Sequence, residues 1–357
     1  MRRACLVAIV VTCITAPGAA GAAKGAKAAA PASRFGIAGG GIIQLLGSAD
    51  RKRYFDSLET VGARWIRIDI NWAVIQRKGP ASYDWAPIDR LVHAARRRGI
   101  RVLGTLVFTP TWAKAAGLPA EAPPANAADF GRFARRATIH YSAEGVHAYE
   151  IWNEPNISGF WTTGPDPARY TQLLKQAYAA IKRVDRSAVV VSAGLSPFSV
   201  YGASDANHMN PLTFLEQMYA NGARGSMDAV GWHPYCFPQG LGYYSWSGWS
   251  QMAATSPSAR SIMEANGDGK KKIWATEWGA PTGTSSESMS EAAQADLVRA
   301  GLTKLKAWSW AGPSFLYSLR DKGTNLSDRE QNFGLVRYDW SLKPAYAAFR
   351  SVASPRR

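Results

Sequence analysis

The sequence is poor in cysteine. Cys5, Cys13 and Cys236 are the three cysteines among 357 residues, and the first two lie in an N-terminal apolar segment. If that segment is removed, Cys236 remains alone, so we expect no intrachain disulfide and a fold stabilised by its hydrophobic core. Because Cys236 has no neighbour that would make up a catalytic triad, we interpret it as a small loop residue rather than a nucleophile.

Long hydrophobic runs are lacking after the N-terminal segment. Two arginines precede an apolar run at residues 4–16, which is too short to span a bilayer, and small residues at 20–22 offer a cleavage site. We predict a signal peptide at 1–22, a flexible leader at 23–33, and a secreted protein, extracellular or associated with the cell envelope, without a membrane span. Lipidation at Cys13 is the alternative, but the small residue that usually precedes such a site is missing.

Acidic residues are outnumbered by basic ones. The chain has 42 lysines and arginines against 26 aspartates and glutamates, which gives a net charge of +16. This charge can attract an acidic polymer or an anionic cell surface. We favour the alternative of an arginine-rich surface without a specific partner, because runs such as 96–98 and 135–136 fall on predicted helices. No nucleic-acid-binding motif accompanies the charge, so we expect no nucleic acid partner.

Motifs for nucleotides and metals are lacking as well. Gly39-Gly40-Gly41 follows the first predicted strand without the spacing that holds a pyrophosphate. The histidines other than His233 do not have the spacing of metal ligands, and Asp268 is better explained by a turn than by a calcium loop. We therefore expect neither a cofactor nor a metal site.

What the sequence contains is a regular alternation of strand and helix patterns. Short apolar or β-branched runs predict strands at 34–38, 64–70, 100–108, 146–152, 188–193, 227–232, 272–277 and 314–318. Helical patterns lie between them at 88–98, 130–140, 170–184, 211–221 and 291–307. Eight strands at intervals of about 30 to 45 residues predict an α/β fold, a single-domain (β/α)8 TIM barrel over residues 34–357. The alternative is an open doubly wound sheet. A final helix is predicted at 343–352, and we expect no accessory domain.

Strand alternation predicts which side chains face the barrel lumen. On the second strand Trp65, Arg67 and Asp69 alternate with isoleucines, and we assign these three to the lumen. Glu150 on the fourth strand is then expected to be a buried structural carboxylate paired with a lumen cation such as Arg67.

Two glutamates follow strands at the end of a barrel where active sites lie. Glu154 belongs to the stretch WNEPN after the fourth strand, and Glu277 ends the seventh. Counting back in twos from Glu277 assigns Ala275 to the lumen and Trp274 to the helices. The same count from Glu154 assigns Trp152 to the lumen.

Asn153 and Glu154 are neighbours, and neighbours on a regular strand face opposite ways. We therefore predict that the strand bulges or ends near Asn153, before Pro155, so that both side chains turn inward.

Paired carboxylates at a barrel mouth suit the cleavage of a glycosidic bond. One protonates the departing oxygen while the other attacks the anomeric carbon, and in retaining enzymes the two lie about 5–5.5 Å apart. The acid must hold its proton and the nucleophile must stay ionised, so their surroundings must differ.

The stretch WNEPN, the glutamate after strand seven and the stretch GWHPY at residues 231–235 resemble clan A of the retaining glycoside hydrolases. Families 5 and 39, including exported bacterial exopolysaccharide hydrolases, carry similar motifs. The resemblance covers the chain after the leader and implies that Glu154 is the acid/base and Glu277 the nucleophile. It also implies that Asn153 binds the sugar 2-hydroxyl.

The same resemblance implies roles for three further polar residues. Tyr235 would donate a hydrogen bond to Glu277, and Arg67 would lower the pKa of this glutamate. His233 alternates into the lumen with Tyr235, and a core histidine is the alternative interpretation.

Aromatic rings after strand ends suit sugars, whose flat C–H faces stack on them. We predict substrate contacts at Trp112, Trp161 and Trp278. Many relatives carry a tryptophan at the end of strand eight, where this sequence offers Tyr317. The long loop at 236–261 is expected to form one wall of the cleft.

These features predict a secreted retaining β-glycosidase, endo-acting on a polysaccharide, with an oligo- or polysaccharide as its partner and a monomeric state. A non-catalytic carbohydrate-binding protein on a barrel scaffold is the first alternative. A surface adhesin that uses the positive charge is the second, and its binding would be abolished by salt.

Overall fold

The computed structural model describes residues 33–354. The predicted signal peptide and all of the predicted leader except Ser33 lie outside the described residues, as do Cys5 and Cys13. Cys236 is a buried free thiol. No helix in the described part of the chain is long and apolar enough to cross a membrane.

Within residues 33–354, eight parallel strands close into a barrel in sequence order, and β1 pairs with both β2 and β8. The strands are β1 (Phe35–Ala38), β2 (Trp65–Asn71), β3 (Arg101–Val107), β4 (Ala148–Ile151), β5 (Val189–Ser192), β6 (Ala229–Trp232), β7 (Lys272–Trp278) and β8 (Ala311–Leu316). Every predicted strand is present, although β8 begins earlier than expected. The closed order confirms the (β/α)8 barrel and excludes the open sheet.

Helices surround the barrel. They are α1 (Ser48–Val61), α2 (Trp72–Ile75), α3 (Ala86–Arg96), α4 (Ala127–Ser142), α5 (Pro167–Val184), α6 (Pro211–Ala220), α7 (Gly248–Ala253), α8 (Ala259–Ala265), α9 (Glu291–Ala307) and α10 (Pro344–Ala353). Asn126, Asp166 and Asn210 begin α4, α5 and α6 by accepting hydrogen bonds from backbone N–H groups of the first turn. The buried faces of these helices pack against the outside of the barrel.

The barrel interior holds an apolar layer with one side chain from each strand. This layer consists of Ala38, Trp65, Leu103, Ala148, Val191, Ala229, Trp274 and Phe315. Several of these residues begin their strands, so the layer fills the lumen near the N-terminal ends. A ligand can therefore reach the lumen only from the opposite end.

The predicted alternation is confirmed for β2. Trp65 belongs to the interior layer and Arg67 and Asp69 lie above it, whereas Ile66 and Ile68 pack in the core between strands and helices. A regular strand of seven residues keeps the two-residue period throughout.

The alternation predicted for β7 is wrong. Trp274 faces the lumen, and Ile273 and Ala275 pack on the helix side. The register between β7 and β8 shifts from Ala275 to Trp278, and such an irregularity breaks the two-residue period. Trp274 and Glu277 are three positions apart and would face opposite sides of a regular strand. Because of the irregularity, both face the lumen.

The end of β4 is irregular in the way the sequence predicts. The strand stops just before Trp152, whose φ is 75°, and Glu154 has φ 40°, in the left-handed region that non-glycine residues rarely adopt. Asn153 and Glu154 therefore both line the lumen, which confirms the predicted strand ending. Trp152 turns outward and packs against Trp161, so its predicted lumen position is wrong.

Candidate active site

An open cavity of about 590 Å³ lies at the C-terminal end of the barrel. Six of the predicted site residues line this cavity: Arg67, Asn153, Glu154, Tyr235, Glu277 and Tyr317. His233 lies directly beneath Glu154 and is fully buried. The structure thus brings together residues that lie on or just after five strands, β2, β4, β6, β7 and β8, and that are far apart in the sequence.

Glu154, His233 and Glu277 form the centre of this floor. One ring nitrogen of the histidine and one carboxylate oxygen from each glutamate all lie within 4.8 Å of one another. Nδ1 of His233 is 2.7 Å from Oε1 of Glu154 and 3.9 Å from Oε2 of Glu277. The two carboxylates are therefore close enough to act on a single atom of a bound molecule.

Arg67, on β2, contacts residues of β4 and its end and a residue of β7 through its guanidinium. Its Nε donates to Oε2 of Glu150 and its Nη1 to Oε1 of Glu277, both at 2.5 Å. Its Nη2 donates to Oδ1 of Asn153 at 2.7 Å. This fork orients the Asn153 side chain, so that its amide nitrogen is available to a ligand.

Glu150 is fully buried below the cavity and does not line it. Besides Arg67, it accepts hydrogen bonds from Oγ1 of Thr105 at 2.9 Å and from the backbone N–H of Gly194 at 3.1 Å. A buried charge needs this degree of pairing. The prediction that Glu150 is a structural partner of Arg67 is confirmed.

The surroundings of Glu277 keep it ionised. Burial acts to raise the pKa of its carboxyl, but the charges of Arg67 and His233 and a hydrogen bond from Tyr235 outweigh burial and hold the pKa below its ordinary value. The Tyr235 hydroxyl donates to Oε2 at 3.0 Å. Both contacts predicted for Glu277, from Arg67 and from Tyr235, are present.

Gly194, which follows β5, leaves room for the histidine. A Cβ atom at this position would overlap Nε2 of His233 and Oγ1 of Thr276. Its backbone carbonyl also accepts a hydrogen bond from the N–H of Glu154 at 3.0 Å. The absence of a side chain at Gly194 is therefore required for the arrangement of His233 and Glu154.

Trp161 and Trp278 are not available as sugar platforms, contrary to prediction. Both are fully buried and neither lines the cavity. Trp161 packs edge-on against Trp152 outside the barrel, and Trp278 packs against Trp249 and against α9 at Gly301. Both fill the layer between strands and helices: Trp278 ends β7 at its register shift, whereas Trp161 lies ten residues beyond the end of β4.

Trp112 also lies away from the cavity wall. Its ring packs edge-on against Trp72, and its Nε1 donates to the backbone carbonyl of Gln76 at 2.9 Å. It is partly buried and supports the segment after β2.

The cavity wall instead carries aromatic rings other than the three tryptophans for which the sequence predicts sugar contacts. They are Phe108, Phe160, Phe237, Trp246 and Phe333. Phe237 and Trp246 come from the loop at 236–261, so the prediction that this loop forms one wall is confirmed. The others stand in irregular segments, where no periodic pattern distinguishes a wall residue from a surface one.

The rim of the cavity carries paired charges from the segments after β7 and β8. Nη1 of Arg329 is 2.5 Å from Oε1 of Glu287, and Nζ of Lys322 is 3.8 Å from Oε2 of Glu330. Each cation at the rim therefore has an acidic neighbour.

Asp69 lies in the cavity beside the floor formed by Glu154, His233 and Glu277, and it is half-buried. Burial, together with the negative charges of Glu277 and Glu150, raises the pKa of its carboxyl to about 6, although Arg67 acts in the opposite direction. At neutral pH the group is therefore mainly ionised.

Glu154, His233 and Glu277 could in principle offer three ligand atoms to a metal ion. However, Oε1 of Glu277 already accepts from Arg67 and Oε2 from Tyr235. A cation bound there would lie next to the guanidinium of Arg67. Because their existing contacts are with Arg67, Tyr235 and each other, these three residues fit a metal centre poorly.

No protein-family model and no curated protein matches the sequence. Among solved structures, the chain is similar to a family 39 glycoside hydrolase from the gut symbiont Bacteroides cellulosilyticus WH2, with 24% identity, a TM-score of 0.68, and coverage of 90% of this chain and 63% of that one. A monomeric β-xylosidase from Caulobacter crescentus CB15 gives 20% identity, a TM-score of 0.65, and coverage of 90% and 68%. Xylanase 10B from Thermotoga petrophila RKU-1, in complex with xylobiose, gives 15% identity, a TM-score of 0.63, and coverage of 89% and 93%.

At these identities the likeness shows the fold. The chain spans less than two thirds of the family 39 structure and nearly all of the xylanase. The fold agrees with the resemblance to clan A glycoside hydrolases that the sequence motifs predict.

Proposed function

We propose that the chain is a retaining β-glycosidase in which Glu154 is the acid/base and Glu277 the nucleophile. The observation that carries this proposal is the approach of the two carboxylates within 4.8 Å at the floor of an open cavity. Retaining enzymes need a separation of about 5–5.5 Å, whereas inverting enzymes need about 6.5–9.5 Å to admit a water molecule.

The reaction proceeds by double displacement. A carboxylate oxygen of Glu277 attacks the anomeric carbon while Glu154 gives its proton to the departing glycosidic oxygen, which leaves as an alcohol. Glu154, now ionised, takes a proton from water, and the resulting hydroxide attacks the anomeric carbon and releases Glu277. The second step inverts the configuration again, so the product keeps the configuration of the substrate.

The contacts of the two glutamates suit these different roles. Glu277 is held ionised by Arg67 and Tyr235, as a nucleophile must be. Glu154 has no arginine or lysine against it. It contacts His233, whose ring nitrogen can accept a hydrogen bond from a protonated carboxyl or donate one to a carboxylate. Asn153, whose Oδ1 accepts a hydrogen bond from Arg67, would bind the sugar hydroxyl next to the reacting carbon, and this contact supports that role.

We further propose that the enzyme is exported and acts within a polysaccharide chain. Export is supported by the basic, apolar and small-residue pattern at the N-terminus. Cleavage within a chain is supported by the open cavity and by aromatic rings on more than one wall, which can bind several sugar units.

Hydrolysis of aryl β-glycosides tests the proposal. The variants Glu154→Gln and Glu277→Gln should lose activity by several orders of magnitude, and a small residue at position 277 should be rescued by azide. Glu59→Gln, a change on the exposed face of α1, is the matched control. NMR of the first product should show retained configuration.

An inverted product would contradict the assignment of Glu277 as nucleophile. Saccharide binding by the unmodified protein, without hydrolysis of any substrate in a broad panel of polysaccharides and aryl glycosides, would instead support the carbohydrate-binding alternative.

A further inference from the structure

Asp69 lies at the cavity floor, and its carboxylate has no hydrogen-bonding or ion-pair partner among the described residues. Its backbone carbonyl accepts a hydrogen bond from Nε2 of Gln44 at 3.2 Å. The carboxylate is instead open to the cavity, on the same strand face as Arg67 and next to the proposed nucleophile. An ionised group in that position is free to act on whatever sugar is bound.

The floor carries more negative than positive charge. Arg67 is its one arginine or lysine in the part of the chain that the structure describes, and its three donor atoms are occupied by Glu150, Glu277 and Asn153. Three of its five N–H groups are engaged in this way, and its positive charge already faces two carboxylates. Asp69 adds a further negative charge that no neighbour neutralises directly.

The cations at the cavity rim do not offset the excess of negative charge at the floor. Lys322 and Arg329 lie near Glu330 and Glu287, and Arg329 also covers the ring of Phe237. The high positive charge of the whole chain is therefore a property of its outer surface and not of the cavity floor.

We propose that Asp69 makes the floor selective for sugars that carry no carboxylate, so that the glycone is neutral and uronic acids are excluded. This inference rests on the proposed glycosidase function and names its substrate class. A neutral sugar can donate hydroxyl hydrogen bonds to the Asp69 carboxylate, which strengthens such bonds because it is charged. A uronate would place like charges together in a partly desolvated site, which is strongly unfavourable.

The test uses two pairs of 4-nitrophenyl β-glycosides that differ only at C6: glucoside with glucuronide, and galactoside with galacturonide. The full-length protein should show a kcat/KM at least about a hundredfold higher for the neutral member of whichever pair it cleaves, as expected for one unit charge at close range. Asp69→Asn keeps the shape and removes the charge, so it should lower this preference by about tenfold or more. Asp296→Asn, an exposed residue of α9, is the matched control and should leave the preference unchanged.

The ratio within a pair distinguishes recognition from a merely structural role, because a loss of folded protein lowers both rates equally. Asp69→Ser serves as a second variant if the asparagine variant does not fold. Equal or faster cleavage of a uronide by the unmodified protein, or an unchanged ratio in the folded variants, would overturn the proposal.

A binding measurement separates this proposal from the proposed function. The Glu154→Gln variant, with and without Asp69→Asn, is titrated with the same four compounds by ligand-observed NMR. One outcome is that the unmodified protein hydrolyses no compound, while the neutral compounds bind to Glu154→Gln and the uronides bind only when Asp69→Asn is added. In that case the glycosidase function is wrong and the role of Asp69 in selectivity is supported. Absence of binding to all four compounds would overturn both.

Discussion

The imidazole of His233 lies directly against the carboxylate of Glu154, with Nδ1 2.7 Å from Oε1. The histidine is fully buried, and its Nε2 has no hydrogen-bond partner among the described residues. Among the described residues, the contact with Glu154 is thus the one side-chain hydrogen bond of the ring, and it links the histidine to the proposed proton donor.

Replacing His233 with alanine should impair proton donation more than nucleophilic attack. The loss in kcat/KM is expected to be about tenfold for aryl glycosides with good leaving groups and a hundredfold or more for alkyl glycosides, since poor leaving groups depend on the acid. A series of leaving groups measures this difference. His208→Ala, at a partly exposed histidine that contacts Asp205, is the control, and equal losses across the series would show that His233 does not act through Glu154.

Replacing Tyr235 with phenylalanine should move the acid limb of kcat/KM to higher pH. The hydroxyl stabilises the ionised form of Glu277, so its loss raises the pKa of that carboxyl. The pH profile, compared with that of the exposed control Tyr243→Phe, measures the shift. An unchanged or lowered acid limb would show that another group controls it.

The same pKa shift has a consequence for stability. Because the pKa of Glu277 is lower in the folded protein than its ordinary value of 4.5, its contribution is fully present above that pH. The contribution is lost as the pH falls through the folded-state pKa. The stability advantage of the unmodified protein over Tyr235→Phe should therefore shrink on acidification below about pH 4, as urea unfolding at a series of pH values will show.

Replacing Glu150 with glutamine should lower the free energy of unfolding. Glu150 does not line the cavity, so we expect no direct contact with a substrate to be lost. The change leaves Arg67 with one buried carboxylate fewer, and breaking a buried pair costs about 3–5 kcal/mol. Urea unfolding measures the loss, with Glu59→Gln as the control for a surface carboxylate. A folded variant of unchanged stability would contradict the structural role of Glu150.

Replacing Trp246 with alanine should affect long substrates and spare short ones. The ring lines the cavity wall, and burying about 50 Å² of it against a sugar contributes roughly 1 kcal/mol. We expect KM for oligosaccharides to rise several-fold while kcat/KM for an aryl monosaccharide stays the same. Tyr243→Ala, a more exposed change in the same loop, is the control, and equal effects on both substrate classes would exclude a role in extended binding.

The sequence predicts the centre of the site well because that centre depends on strand order. Glu154, Glu277 and the residues on β2 lie at the ends or along the faces of strands, where barrel closure brings them together. The pairing of Arg67 with Glu150 follows from the regular period of β2, which the structure maintains over seven residues.

The tryptophans were not predictable for the opposite reason. Trp152 itself has a positive φ, and Trp274 lies where the register between β7 and β8 shifts. Counting in twos along the strand fails at both positions. Phe108, Phe160 and Phe333 line the cavity from segments whose course depends on tertiary contacts. Local sequence carries no period that distinguishes such residues from ordinary surface aromatics.

Arg67 extends from β2 to residues that follow β4 and to the end of β7, across the barrel interior. Its contacts exist only when all three parts of the sheet have assembled, and its buried charge makes their partial loss costly. Unfolding of the barrel and inactivation should therefore occur as one cooperative event. Catalytic activity would then serve as a direct reporter of barrel closure during refolding.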